Sequence, residues 1–87
     1  MEESYKTLLD QYADHPIMGE FLQDSIPNWG GLYRVLPMVS SGERTMVQVA
    51  LTLYNGFSDT HLRDIFLVDR ENQERILDAL ELRIRGE

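Results

Sequence analysis

The sequence predicts an all-α single domain of four to five helices packed around a central buried helix at about residues 40–55. Three observations lead to this prediction. A chain of 87 residues can build only one hydrophobic core. Apolar residues recur at three- and four-residue spacings in several segments. Residues 40–56 carry both a start signal and a stop signal of a helix, and more than half of its circumference is apolar.

The first two helices are predicted from apolar spacing and from one proline. In residues 2–13 the apolar side chains follow a helical period, with acidic and polar residues between them. Pro16 favours the first position of a new helix, so we expect a second helix over residues 16–24. The side chains expected to be buried by these two helices are Tyr5, Leu8, Leu9, Tyr12, Ile17, Met18, Phe21 and Leu22.

Residues 25–37 are expected to form an irregular loop that contains a short helix, because prolines and glycines interrupt them. Asn28 could cap a single helical turn. The aromatic and aliphatic side chains of this segment indicate that it is not simply a solvated linker. Two short strands over residues 32–39 are the alternative.

The central helix is bounded by recognisable end signals. Ser40 and Glu43 have the spacing of a capping box, in which each side chain bonds the backbone N–H of the other residue. Gly56 supplies the left-handed conformation that is common just after a helix. The apolar residues between these signals are Met46, Val47, Val49, Ala50, Leu51, Leu53 and Tyr54.

Two further helices are expected near the C-terminal end. Ser58 or Asp59 could cap a short helix over residues 60–66, and Asp69 could cap the final one. We expect the short helix to turn Leu62, Ile65 and Phe66 inward. The final helix should pack on the central one through a buried stripe of Ile76, Leu77, Leu80 and Ile84.

Composition excludes several functional classes. The chain contains no cysteine, so it can form neither disulfides nor thiolate metal sites, which fits a reducing cytoplasm. The formal net charge of −7 disfavours direct binding to nucleic acid, since both partners would be negative. We expect no secretion signal and no membrane span, because the first residues are acidic and no apolar run approaches about 20 residues.

Candidate chemistry in the sequence is weak, and we expect neither an enzyme, a cofactor nor a metal site. His15 and His61 are the only histidines, and they are far apart in the chain. His61 and Asp64 lie one helical turn apart and could share a metal or a proton only if His15 approached from elsewhere. Capping or solvation is the simpler interpretation. No Gly-x-Ser-x-Gly nucleophile motif is present.

The clearest candidate binding residues are aromatic or acidic. Trp29 and Tyr33 flank the glycines of the irregular segment, and such residues often anchor protein interfaces. The alternative is that Trp29 closes one end of the core. The acidic residues of the first two helices could bind a basic partner, mimic nucleic-acid charge or simply keep the domain soluble. These residues are Glu2, Glu3, Asp10, Asp14, Glu20 and Asp24.

Two resemblances can be stated. The Ser-Ser-Gly-Glu sequence at residues 40–43 is similar to the signature of ABC-type ATPases, but the chain has no phosphate-binding Gly-Lys-Ser/Thr loop, so a plain helix cap is expected. The same four residues, the Leu-Tyr-Asn-Gly of residues 53–56, Asp69-x-Glu71-Asn72 and Leu77-x-x-Leu80-x-Leu82-Arg83 together resemble a family of small uncharacterised bacterial and phage proteins. This resemblance covers residues 36–85, and it implies an origin in a bacterium or its phage but no activity.

The sequence therefore leads to three functional hypotheses. The first is a non-enzymatic acidic module, encoded by a phage, that binds and inhibits a protein of the host cytoplasm through the acidic face or the Trp29 loop. The second is a self-associating structural or accessory protein, in which apolar surface on the two C-terminal helices is buried in a homodimer. The third is a small metal-dependent enzyme.

Overall fold

A computed structural model describes residues 4–56 and 60–86, and these residues form α-helices and short 3₁₀ turns without any strand. The all-α prediction is confirmed. Five α-helices are present in the described part of the chain: α1 Ser4–Leu9, α2 Trp29–Val35, α3 Ser41–Asn55, α4 Leu62–Leu67 and α5 Arg70–Ile84. The 3₁₀ segments are Asp10–Tyr12, Gly19–Leu22 and Leu36–Met38.

The central helix α3 begins and ends where its signals predict. The Ser40 hydroxyl accepts a hydrogen bond of 3.1 Å from the Glu43 backbone N–H, and the Ser40 N–H donates one of 2.9 Å to a Glu43 carboxylate oxygen. Gly56 has a φ of 82°, the left-handed conformation in which a side chain would be strained. The capping box and the C-terminal glycine are therefore both confirmed.

The core forms around α3, which packs against α1, α4 and α5. Leu8, Met18 and Met46 are fully buried at its centre. The most extensive contact of α5 is with α1, and its contact with α3 is smaller. The buried hydrophobic residues of α3 are Met46, Val47, Val49, Ala50 and Leu53.

The segment after α1 is less regular than the predicted helix over residues 16–24. It consists of turns followed by the 3₁₀ helix Gly19–Leu22. The imidazole of His15 accepts hydrogen bonds from the backbone N–H groups of Ile17 and Met18. The backbone carbonyl of His15 accepts one from the Gly19 N–H. Gly19 lies so close to Ala13 that an added Cβ would meet the Ala13 carbonyl oxygen at 2.6 Å. These contacts hold a tight turn where a continuous α-helix was expected.

The short helix expected within the irregular region of residues 25–37 is present as α2, which is longer than the single turn predicted, and no strand forms over residues 32–39. Asn28 caps α2 by accepting a 3.0 Å hydrogen bond from the Gly31 N–H. A Cβ added at Gly31 would overlap the Phe21 ring. Gly31 thus serves close packing of α2 on Phe21, which offsets the low helix propensity of glycine.

The two C-terminal helices differ most from the prediction. Ser58 and Asp59, the expected caps of α4, lie outside the described residues. Asp69 does stand at the N-cap of α5, but its side chain accepts a hydrogen bond from Asn72 and none from the backbone. Of the stripe predicted to be buried on α5, only Ile76 is buried. The inward orientation predicted for Leu62 and Phe66 is wrong as well.

Candidate interaction surface

Trp29 and Tyr33 lie against the core. The Trp29 ring centroid is 6.1 Å from that of Tyr5 and 5.3 Å from that of Tyr54. Its indole nitrogen is buried and has no hydrogen-bond partner among the described residues. Tyr33 is partly buried and also packs against the core. The aromatic cluster closes one end of the core, and Tyr54, which is 40% exposed, is its most accessible ring.

The acidic residues of the N-terminal region remain on the surface. Glu2 and Glu3 lie outside the described residues, whereas Asp10, Asp14, Glu20 and Asp24 are all exposed. Asp10 and Asp24 line the same shallow depression of about 130 Å³, which Lys6 also lines. The acidic residues thus provide negative charge without a shaped cleft around all of them.

His15 has a structural arrangement that uses both of its ring nitrogens. Nδ1 accepts hydrogen bonds from the backbone N–H groups of Ile17 and Met18, at 3.0 and 3.1 Å, so it carries no proton in this arrangement. Nε2 therefore holds the proton and donates it to a Glu43 carboxylate oxygen at 2.9 Å. The imidazole connects the turn after α1 to the cap of α3, which leaves no lone pair for a metal or a substrate proton.

His61 does not join His15. It stands at the exposed N-cap position of α4, where its side chain makes no capping hydrogen bond. Among residues 4–56 and 60–86, no group of three His, Asp or Glu side chains is arranged to hold a metal ion.

The homodimer hypothesis anticipated apolar surface on the two C-terminal helices, but not that this surface forms a groove between α4 and α5. Its main part has a volume of about 290 Å³, and an adjoining part of about 160 Å³ extends toward α3 and shares four of the lining residues. We call it the C-terminal groove. The residues that line its main part are Leu62, Ile65, Phe66, Gln73, Ile76, Leu77 and Leu80.

Large apolar side chains on and beside this groove are unusually exposed. Single exposed hydrophobic residues are normal, but a contiguous group is typical of a binding surface. The exposed fractions are 72% for Leu62, 70% for Phe66, 64% for Leu77, 39% for Leu80 and 84% for Ile84.

A polar network explains why α5 turns this stripe outward. The Gln11 side chain donates a 2.9 Å hydrogen bond to Asn72 and accepts one of 3.2 Å from Arg75. Burial raises the pKa of Tyr12, which also bonds Asn72, to about 12. Ala79 on the same side of α5 is fully buried. The face of α5 that meets α1 is therefore small and polar, and the larger apolar side chains lie beside it or away from it.

A sequence signal for this orientation existed in Ala79. A helix packs closely where its side chains are small, and Ala79 lies on the opposite side of α5 from Leu77, since two residues correspond to about 200° of helix rotation. Ile76 lies between these two sides, which is why it alone of the predicted stripe is buried.

Acidic side chains border the groove on α5. Glu74, Asp78 and Glu81 are exposed on the outer side of Leu77. Glu81 pairs with Arg85 at 3.0 Å, whereas Glu74 and Asp78 form no ion pair among the described residues. We refer to Glu74, Asp78 and Glu81 as the acidic rim.

The Gln73 side chain links the two helices that line the groove. Its amide nitrogen donates to the Phe66 carbonyl at 3.1 Å and approaches the Ile65 carbonyl at 3.5 Å. These bonds tie the start of α5 to the end of α4, so the groove has a defined width.

The described helices include none long and apolar enough to cross a membrane. Comparison of the chain with protein-family models, with curated proteins and with solved structures finds no match.

Proposed function

We propose that this domain is a non-enzymatic protein-interaction module that binds another protein through the C-terminal groove. The observation that carries the proposal is the contiguous apolar surface of α4 and α5, which includes Leu62, Phe66 and Leu77. Removing such apolar side chains from water favours association with a partner. Trp29, at the start of α2, supports binding less well, because its ring packs against Tyr5 and Tyr54.

The partner that suits this surface is a protein with positive charge beside its apolar contact residues. The chain has a formal net charge of −7, and the acidic rim borders the groove directly. Charges of opposite sign speed the encounter of two proteins and suppress wrong partners. The resemblance to small bacterial and phage proteins supports a partner in the bacterial cytoplasm, and inhibition of a host protein is the narrower form of this proposal.

Self-association through the same groove is the second candidate function. It is favoured by the same exposed side chains, which two copies could bury against each other. It is opposed by charge, because a symmetric dimer would bring two chains of net charge −7 together with acidic rims on both. Light scattering at high concentration distinguishes the two functions, since a strict monomer removes the homodimer.

Site-specific photo-crosslinking in bacterial cells tests the proposal. A photoreactive amino acid is introduced at Leu77 in the groove and, as a matched control, at the exposed Glu20 on the acidic N-terminal surface. We expect an adduct with a different protein from position 77 and none from position 20. An adduct of twice the chain mass from position 77 would favour the homodimer. Adducts only from position 20, or from neither position, would overturn the proposal.

A further inference from the structure

We infer that the C-terminal groove binds an amphipathic α-helix of the partner, with lysine or arginine residues beside its apolar stripe. This inference rests on the proposed function and names the chemistry of the ligand. It depends on three features of the groove: its mostly apolar lining, its length and its acidic rim.

The mostly apolar lining of the groove favours a helix over an extended peptide. An extended segment brings unpaired backbone N–H and C=O groups, which are costly to bury without partners. The described residues contain no strand whose edge could pair with it. Gln73 is the polar side chain of the main part of the groove, and its amide nitrogen already donates to the Phe66 carbonyl. A helix bonds its own backbone and needs only apolar contact.

The length of the groove suits two to three helical turns. Its α5 wall runs from Gln73 to Leu80, and Ile84 continues the exposed stripe beyond it. At a rise of 1.5 Å per residue, residues 73–84 span roughly 16 Å. A bound helix with apolar side chains at positions i, i+3 or i+4, and i+7 spans about 10 Å between its first and last anchors, so it fits within this length.

The acidic rim predicts the charges beside those anchors. Glu74 and Asp78 are one helical turn apart, exposed, and without an ion pair among the described residues. A bound helix lying along α5 would bring its flanking side chains near both carboxylates. Lysine or arginine there would be attracted, and glutamate or aspartate would be repelled.

A display experiment tests the inference on the purified full chain. The probe is a library of peptides of about 15 residues with apolar anchors at helical spacing and with Lys, Glu or Ser at the flanking positions. A second library has alternating apolar residues and therefore favours extended peptides. We expect selection to enrich helical peptides with Lys flanks. The affinity of the best one is then measured by fluorescence anisotropy, and its helicity on binding by circular dichroism.

Charge-reversal variants show whether the rim is responsible. In the double variant Glu74→Lys/Asp78→Lys, we expect the affinity for the Lys-flanked peptide to fall by about tenfold and the Glu-flanked peptide to become the better ligand. The control is Glu20→Lys/Asp24→Lys, which changes the net charge equally on a segment that does not line the groove. The control should keep the order of preference of the wild-type chain.

The outcomes separate this inference from the proposed function. Selection of extended peptides, of peptides without basic flanks, or equal effects of the two double variants would overturn the inference. The proposed function would still stand if those peptides lose affinity in a Leu77→Glu variant that retains the wild-type circular dichroism spectrum. If no selected peptide is sensitive to Leu77→Glu, both the inference and the groove as a binding site are wrong.

Discussion

Helices α3 and α5 have the same length of fifteen residues, and each carries an apolar stripe, yet only α3 buries its stripe. On α3 the stripe from Met46 to Leu53 lies inside the core. On α5 the residues Leu77 and Ile84 point outward. The period of a stripe therefore identifies a helix, but it does not say whether a second helix covers the stripe.

The difference follows from what each helix has for neighbours. Helix α3 packs against α1, α4 and α5. Helix α5 packs mainly on α1, through the side of the helix that contains Ala79, and α4 is only six residues long. A chain of 87 residues has no further described helix to cover the outer side of α5. A surface left open in this way can be covered by a partner.

The largest expected effect is a difference in stability between variants at two neighbouring residues of α5. Ile76 is 1% exposed and Leu77 is 64% exposed. We expect Ile76→Ala to lower the free energy of unfolding by about 2–5 kcal/mol, because it leaves a cavity in the core. The control Leu77→Ala should change it by less than about 0.5 kcal/mol. Urea denaturation of both variants measures the difference, and similar losses would mean that the stripe of α5 is buried in solution.

Features determined by neighbouring residues were predictable from the sequence. The ends of α3 depend on Ser40, Glu43 and Gly56, whose signals act within a single turn of the chain, and both ends are confirmed. The Asn28 cap predicted a short helix at α2, but not its full length, because Gly30 and Gly31 lower helix propensity and the compensating contact with Phe21 is a tertiary one.

The orientation of α5 was only weakly signalled in the sequence, by the small side chain of Ala79, for a similar reason. The hydrogen bonds that hold it join Gln11 on one segment to Asn72 and Arg75 on another. Residues more than sixty positions apart are brought together only by the fold. The C-terminal groove also depends on contacts between distant segments. The side of α5 that carries this polar network meets α1, so the larger apolar side chains of α5, such as Leu77, stay uncovered.

The next largest change in stability concerns the two glycines of α2. Gly31 packs closely against another side chain, whereas Gly30 has more open space around it. Gly31→Ala should lower the free energy of unfolding by about 1–3 kcal/mol, because its Cβ would overlap the Phe21 ring. Gly30→Ala meets only the Asn28 side chain, at 3.8 Å, and should stabilise the domain by up to about 1 kcal/mol through helix propensity. Thermal denaturation gives both signs, and equal signs would contradict the packing of α2 on Phe21.

A smaller loss of stability is expected from variants at the N-terminal caps of α3 and α5. Ser40→Ala removes a hydroxyl that accepts a backbone N–H, so we expect a loss of about 1 kcal/mol. Asp69→Ala should cost only about 0.5 kcal/mol, because the Asp69 side chain bonds Asn72 and not the backbone. Ser41→Ala, at an exposed position one residue later, is the control and should be close to neutral. Denaturation midpoints rank the three variants, and a larger loss for Asp69→Ala would contradict the geometry of the two caps.

The smallest expected effect is the acid dependence of the α3 cap. Partial burial acts to raise the pKa of Glu43, but hydrogen bonds from Ser40 and the neighbouring His15 outweigh it, so the pKa lies below its ordinary value of 4.5. Because the folded chain holds this carboxylate ionised more readily than the unfolded chain does, its contribution is fully present above pH 4.5 and is lost as the pH falls through the lowered pKa.

Comparing the free energy of unfolding of the wild-type chain with that of Glu43→Gln separates the contribution of the Glu43 carboxylate from those of the other carboxylates. We expect the wild-type chain to be the more stable at neutral pH, and the difference to shrink in urea titrations as the pH falls below 4.5. The variant His15→Asn lacks the imidazole that donates to Glu43. In that background, Glu43→Gln should change the free energy of unfolding less at every pH. A difference that grows with acid in that background would mean that the α3 cap does not depend on an ionised Glu43.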